Sequence, residues 1–474
     1  MANSANKMIK DPIHSFINFN GSQELLLKDI LSDPFFQRLR RVKQLGFSDY
    51  VFPSATHSRF SHSLGVYNIA KRMLLAVEDE NVSSDWTDKG FACLAAALLH
   101  DVGHGMFSHA FEKAIELFAE RNPTDGEKLK KSANHENIST KIILDSSITK
   151  ALENIGGNEF PKSVAEMIKK SDKKCIYKSI VSSQLDADRL DYAIRDPYFA
   201  GVSSGGIDLE WILKNLKVES SNGTKFLFVR SKAYVSLEQF TVTLFHLYPT
   251  IYLHKKTRSL EYMFSLLICR VFELISSNEI AHTGLTHDHP LAKFFHEPEQ
   301  ITNLLSLDDS LFWGALYLFK NANDPKIRNI SERISERKLF PMIDVWRVAD
   351  RVYSENSEIC PSSASTRVER ISEACKFVCK KIVNIEDVWD QDFYYDTYDR
   401  PIYQPLNEKG GHPQQINVEV GGSIMDINLI SPIVASSASF NIHRIYFEKH
   451  DEKTTRLENK LYEMLKAELS KAKN

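Results

Sequence analysis

The chain has no apolar run approaching the eighteen or so residues that a membrane-spanning helix needs. Its first residues, Met1-Ala-Asn-Ser-Ala-Asn-Lys7, hold no apolar stretch of the kind that directs secretion, so a cytoplasmic protein without a membrane partner is expected. Cysteine is scarce, with 6 in 474 residues, which excludes a disulfide framework. Cys375 and Cys379 lie one helical turn apart without a second pair, so reduced thiols are expected there rather than zinc. Charge of one sign is lacking too. The 59 Lys and Arg against 62 Asp and Glu leave a net charge of -3, so no global basic field recruits nucleic acid, although a local patch could. There is no internal repeat and no low-complexity segment. What remains is ordinary for a globular enzyme, 43% hydrophobic and 26% charged, in a chain long enough to bury a large core.

Periodicity predicts a mainly α chain. Helices are expected over 24–45, 62–79, 88–100, 108–120, 135–155, 161–170, 175–195 and 232–278. Ser61 is a candidate N-cap for the second of these. The polar stretch 121–134 reads as a surface loop, placed to act as a mobile cover. Lys225–Arg230 reads as a strand after a turn at 221–223, and 280–300 reads as irregular. Farther on come a loop at 358–366, a helix over 366–381 and a hairpin around Gly421-Gly422. A strand at 444–447 and a charged helix at 453–472 follow. The expected organisation is an HD-type helical domain over 1–300 and a smaller α+β lobe over 301–474, serving oligomerisation or regulation.

The chemistry begins at His100-Asp101, which ends the apolar run Phe91–Leu99. A carboxylate at the mouth of a buried helix must be paired, hydrogen-bonded or bound to a cation. Imidazole and carboxylate together make a mixed N/O metal site. His62 lies upstream in Thr56-His-Ser-Arg-Phe-Ser-His62. Downstream, Asp188, Asp191 and Tyr192 share one face in Asp186-Ala-Asp-Arg-Leu-Asp-Tyr192. His62, His100, Asp101 and Asp188 can thus converge as two imidazoles and two carboxylates, a set that suits Mn²⁺, Fe²⁺, Mg²⁺ or Zn²⁺.

Several ordered motifs carry a resemblance: Asp11-Pro-Ile-His14, Pro34–Gly46, Tyr50–Gly65, the His100-Asp101 string and Asp186–Tyr192. Over about residues 8 to 260 the chain resembles the HD-domain deoxynucleoside triphosphate triphosphohydrolases. It is most similar to the branch holding the sterile-alpha-motif and HD-domain dNTPase and its bacterial relatives, and it is expected to lack the sterile-alpha-motif segment. The resemblance implies one divalent ion per active site, with a further Mg²⁺ accompanying the triphosphate. It implies cleavage of a dNTP to deoxynucleoside and inorganic triphosphate. It assigns His104 and His135 to acid–base work and Glu112 to orienting a histidine. Arg59, Arg189 and Lys255 fall to phosphate contacts, and His109 to the phosphates or the sugar. Tyr192 is assigned to the sugar, Gln44 and Asp196 to the 3′ hydroxyl, and Leu45 and Tyr252 to the nucleoside.

Two positions depart from that pattern: Leu253 replaces a polar base contact and Leu244 replaces an arginine. They keep alive a second reading, an HD-type phosphodiesterase or nucleotidase acting on another nucleotide or a nucleic-acid end. A nucleotide-binding regulator with little turnover is a third, disfavoured by the complete ligand set. The branch also implies a homodimer or homotetramer and a regulatory nucleotide. Gln37 and Arg40 match its guanine-binding motif, whereas Ser32 stands where an acidic residue is expected, so guanine-specific activation should be weak or absent. The same chemistry would serve control of the dNTP pool or starvation of an invading phage.

Overall fold

The computed structural model describes the chain apart from residues 1–6, 79–84, 170–174, 204–205, 222, 356–363, 384–392, 401–402, 404–413, 437–439 and 472–474. Part of the expected turn at 221–223, most of the loop at 358–366 and the last residue of the expected 453–472 helix lie outside the described residues. The architecture is mainly helical, with three small sheets.

The centre of the molecule is helix Asp88–Leu99, in which every residue from Gly90 to Leu99 is buried. Thr87 caps it by accepting from the Gly90 amide. Against it pack helix Arg59–Leu74 and, through it, helix Ala187–Ala200. The cap of Arg59–Leu74 is Ser58, not Ser61, so Arg59 and His62 both sit in the first turn. Asp186 caps Ala187–Ala200, accepting from the Arg189 amide at 2.7 Å, and Gly201 ends it at φ +66°. This splits the expected 175–195 helix into Ile176–Val181 and Ala187–Ala200.

The expected loop over 121–134 is instead a helix, Pro123–Ala133. Pro123 suits the first helical turn. Gly126 meets Ala119 so closely that a Cβ there would stand 2.2 Å from the Ala119 Cα, and Leu129 and Ala133 are buried beside it. The polar composition masked a narrow apolar stripe. The one or two helices expected over 24–45 are three short ones, Gly21–Leu26, Lys28–Ser32 and Pro34–Arg38, plus a short 3-10 turn, with Pro34 opening the third behind its cap Asp33 as expected.

Two clusters of buried apolar side chains are present among the described residues. The larger spans the helical part of the chain, takes in helices Asp309–Phe319 and Pro325–Ser335 past residue 300, and includes Ile416, Val418, Ile427 and Tyr446 from the C-terminal part. The smaller lies between Ile343 and Leu469. It joins helices Val345–Glu355, Ala364–Val383 and Glu452–Lys471 to a three-stranded antiparallel sheet. In that sheet Phe440–Phe447 is central, flanked by Met342–Asp344 and Phe393–Arg400. The hairpin at Gly421-Gly422 forms as expected, with Asn417 opposite Asp426. It returns to the helical domain: Val418 pairs in parallel with Val229 of strand Thr224–Val229, completing a four-stranded sheet.

Candidate active site

Three helix ends meet at one point. His62 comes from the first turn of Arg59–Leu74, His100 and Asp101 follow the last turn of Asp88–Leu99, and Asp188 opens Ala187–Ala200. His62 Nε2 lies 3.0 Å from Asp188 Oδ1 and 3.8 Å from Asp101 Oδ2. His100 Nε2 lies 3.4 Å from Asp101 Oδ1 and 3.8 Å from Asp188 Oδ1. The approach of the helices depends on Gly65, where a Cβ would fall 2.0 Å from Asp191 Oδ1.

Each imidazole is held by its other nitrogen. His62 Nδ1–H donates to Asp191 Oδ2 at 2.8 Å, and His100 Nδ1–H donates to the Ala97 carbonyl at 2.9 Å. Both rings therefore turn Nε2 inward. Asp191 is fully buried and also accepts from His14 Nε2 at 2.6 Å and Arg195 Nε at 2.7 Å, and Arg195 reaches Asp11 at 2.9 Å. Two observations fit a cation here. His100 Nε2 is buried with no hydrogen-bond partner. Burial opposes a charge on His62, yet its bonds to Asp188 and Asp191 outweigh burial and raise it to about 10, so the carboxylates draw positive charge to this point. Asp101 is also bridged by Arg59, whose Nε donates to Ser108 Oγ at 2.6 Å.

Beyond Asp101 lies a second group. Glu112 Oε1 accepts from His135 Nδ1 at 2.6 Å, and its Oε2 accepts from His109 Nδ1 at 3.1 Å. His104 stacks on His135 with ring centroids 4.0 Å apart, and its Nε2 is 3.3 Å from Asp101 Oδ1. Burial, with Arg59 and His135 adding to it, holds His104 well below the usual imidazole range. Hydrogen bonds from His109 and His135 overcome burial and hold the Glu112 carboxyl far below its usual range. His104 does not continue the preceding helix, which stops at Leu99. Arg38, fully buried, captures the Val102 carbonyl at 2.8 Å and stabilises the turn instead. Phe107 and Ser108 take φ of 50° and 55° at the end of this turn, a costly conformation for non-glycine residues.

Both groups open on one cavity of about 700 Å³. Arg59, Asp101, His104, His109, Glu112 and His135 line one side, with Asp188 and Tyr192 beside them. Gln44, Leu45, Asp196 and Tyr252 line it as well. Gln44 Oε1 is buried and unpartnered. Asp196 accepts from His57 Nε2 and from the Tyr252 hydroxyl, each at 2.8 Å. Arg189 and Lys255 are not brought to the cavity wall. Arg189 turns toward its helix-capping Asp186 at 3.9 Å, and Lys255 opens helix Lys255–Ser276. Leu253 lines the cavity, whereas Leu244 is in the core.

Sequence reasoning missed one wall altogether. Tyr394, Thr397 and Tyr398 reach the cavity from strand Phe393–Arg400 of the smaller cluster. Asp396 of that strand pairs with Arg258 at 2.5 Å. Nothing local in 393–400 marks it as a cavity wall. Asp191, which falls on the Asp188 face, was legible as a neighbour but not as the orienting group. At the expected regulatory trio, the Ser32 hydroxyl donates to its own helix at the Lys28 carbonyl, 3.0 Å away. Arg40 Nε donates to Gln37 Oε1 at 2.8 Å, and Arg40 lies 3.7 Å over the Phe60 ring.

The HD domain family matches residues 59–193, the span that holds all four converging residues. The uncharacterized protein YwfO of Bacillus subtilis is 32% identical over 72% of this chain and 72% of its own length. The bovine deoxynucleoside triphosphate triphosphohydrolase SAMHD1 is 27% identical, covering 94% of this chain and 76% of its own. The chain belongs to the SAMHD1-like HD-domain family. Among solved structures, a phosphohydrolase from Bacteroides thetaiotaomicron superposes with a TM-score of 0.69. It is 26% identical, covering 94% of this chain and all of that one. For a member of this family, the cluster His62, His100, Asp101 and Asp188 is a candidate metal site of a hydrolase. No helix among the described residues is long and apolar enough to cross a membrane.

Proposed function

We propose that the protein hydrolyses deoxynucleoside triphosphates to deoxynucleoside and inorganic triphosphate. The observation that carries this reading is the shared cavity: the metal-type cluster, three further histidines and a nucleoside-sized pocket open on the same space. The SAMHD1 relatives supply the substrate class.

His62, His100, Asp101 and Asp188 would hold one divalent cation, Mn²⁺, Fe²⁺, Mg²⁺ or Zn²⁺, which supplies Lewis acidity and lowers the pKa of water. Arg59, fixed by Asp101 and Ser108, offers its remaining N–H groups to phosphate oxygens. His104, kept neutral by its surroundings, serves as a hydrogen-bond donor to phosphate. Water oxygen bonds to the α-phosphorus, giving up a proton to solvent, as the bond from phosphorus to the 5′ oxygen breaks. The leaving alkoxide takes a proton from His135, whose Nδ1 is engaged by Glu112 and whose chemistry therefore runs through Nε2. Tyr192 closes on the sugar, and Gln44 and Asp196 meet the 3′ hydroxyl.

The test is a product assay. Purified protein with Mn²⁺ or Mg²⁺ receives each dNTP and NTP, with Asp101→Ala as control, and products are resolved by ion exchange. Triphosphate plus deoxynucleoside, lost in the variant, is the expected result. The second reading, a phosphodiesterase or nucleotidase, draws on Leu253 in the cavity wall and Leu244 in the core. Release of monophosphate rather than triphosphate would favour it. A homodimer or homotetramer is part of the proposal and is read by light scattering.

A further inference from the structure

One wall of the cavity carries a ligand set of its own. His104, His109, Glu112 and His135 each bring a donor atom within 4.8 Å of all the others. None of the four belongs to the HD cluster. The group holds three imidazoles and one carboxylate, a nitrogen-rich set that favours zinc over magnesium or calcium. His104 is buried, and its Nδ1 has no hydrogen-bond partner. Zinc–nitrogen bonds of about 2.0–2.1 Å in a tetrahedral site bring ligand atoms to roughly 3.3 Å from one another. Closing to that value draws the donor atoms together by up to about 1.5 Å and turns the stacked His104 and His135 rings out of parallel, so that both lone pairs meet at one point. His109, whose side chain is 71% exposed, is free to make the largest of them. Glu112 then exchanges its hydrogen bonds to His109 and His135 for a bond to the cation.

We propose that His104, His109, Glu112 and His135 form a second, inhibitory zinc site in the cavity wall. Four protein ligands complete a tetrahedral shell, so this site has no open position for water or phosphate, which is the mark of a structural rather than a catalytic zinc. Its occupation takes His135 and His104 out of reach of the substrate and fixes Glu112 away from its orienting role. The inhibition half rests on the dNTP reading above, whereas the binding half does not.

The experiment uses the full-length protein, desalted with its first ion in place, and titrates it with Zn²⁺ and, as a spectroscopic probe, Co²⁺. Metal content is measured by mass spectrometry, and Co²⁺ geometry by visible absorption. The wild type is expected to take up one further tight equivalent per chain, with the intense absorption of four-coordinate Co²⁺. dNTP turnover should fall at least tenfold as that equivalent fills and return after brief chelation. His109→Ala and Glu112→Gln should keep the first ion, which also reports that they fold, and lose the second. A wild type that takes up no further tight equivalent overturns the proposal, as does a second equivalent that survives in both variants. Tight second binding without loss of turnover overturns the inhibitory role alone. If the protein turns over a different nucleotide, the metal stoichiometry is unaffected, so the two readings fail separately.

Discussion

The two sides of the cavity are built by different rules. On the metal side, every ligand comes from the HD segment between His62 and Asp188, and both imidazoles are pinned from behind by a buried acceptor, Asp191 or the Ala97 carbonyl. Along the rest of the cavity, the wall is assembled from distant segments: Gln44 and Leu45, Tyr192 and Asp196, Tyr252, and the strand carrying Thr397 and Tyr398. The first side is a preorganised unit in which each residue over-determines its neighbour. The second is a composite that can be changed piecewise. The comparison teaches that the candidate metal cluster is built locally in this fold, whereas the rest of the cavity wall is supplied by distant parts of the chain.

The sharpest way to break the comparison is Asp101→Ala, which removes a ligand and leaves Arg59 unpaired. Turnover should fall by about a thousandfold or more, together with bound metal, in a paired rate and metal-content measurement. Next in size is Asp191→Asn, which touches no substrate. It should lower metal affinity or activity roughly 10- to 100-fold. It should also lower stability by about 3 kcal/mol, because Arg195 and His62 lose a buried anion, as thermal unfolding would read.

A third prediction concerns Asp309, which accepts from the Phe107 amide at 2.7 Å and the Lys43 amide at 2.9 Å and so fastens the strained turn before His109. Burial pushes its carboxyl up to about 7 from 3.8, against those two amides. The native state then binds more protons than the unfolded chain between about pH 4 and 7, so this group's contribution falls as pH rises through that window. Asp309→Asn should flatten the slope, changing the difference from wild type by at least about 1 kcal/mol across the window in denaturant titrations. The smallest effects belong to the composite wall. Thr397→Val or Tyr398→Ala should re-rank the four bases by roughly 3- to 10-fold in kcat/KM with metal content unchanged. An equal loss for all bases would show that the strand shapes the cavity without reading the base.

The same contrast explains what the sequence disclosed. The convergence of His62, His100, Asp101 and Asp188 was legible because histidines and aspartates at helix ends are conspicuous beside an apolar run. Helix Asp88–Leu99 was legible for the same reason. Helix Pro123–Ala133 was not, because its packing relies on Gly126 against Ala119, a contact that leaves no mark in hydrophobicity. Arg38, next to Arg40 and Arg41 in the sequence, is fully buried, and its guanidinium donates to the Val102 and Leu307 carbonyls rather than to an acid. Arg189 and Lys255 carry charges suited to phosphate, but helix capping and helix initiation place them elsewhere. Tyr398 could not be found by any local signal, since its place in the cavity wall depends on a strand whose partner, Phe440–Phe447, lies farther along the chain.

The pairing of Val418 with Val229 has a bearing on how the molecule is made. During synthesis all four metal ligands have emerged once residue 188 clears the ribosome, yet the cavity is still open on the side that Tyr394–Tyr398 will close. The sheet begun by Leu216–Ser221 and Thr224–Val229 waits nearly two hundred residues for its third strand, a long and slow loop to close. A nascent chain would thus hold all four residues of the candidate metal cluster well before its cavity wall is complete.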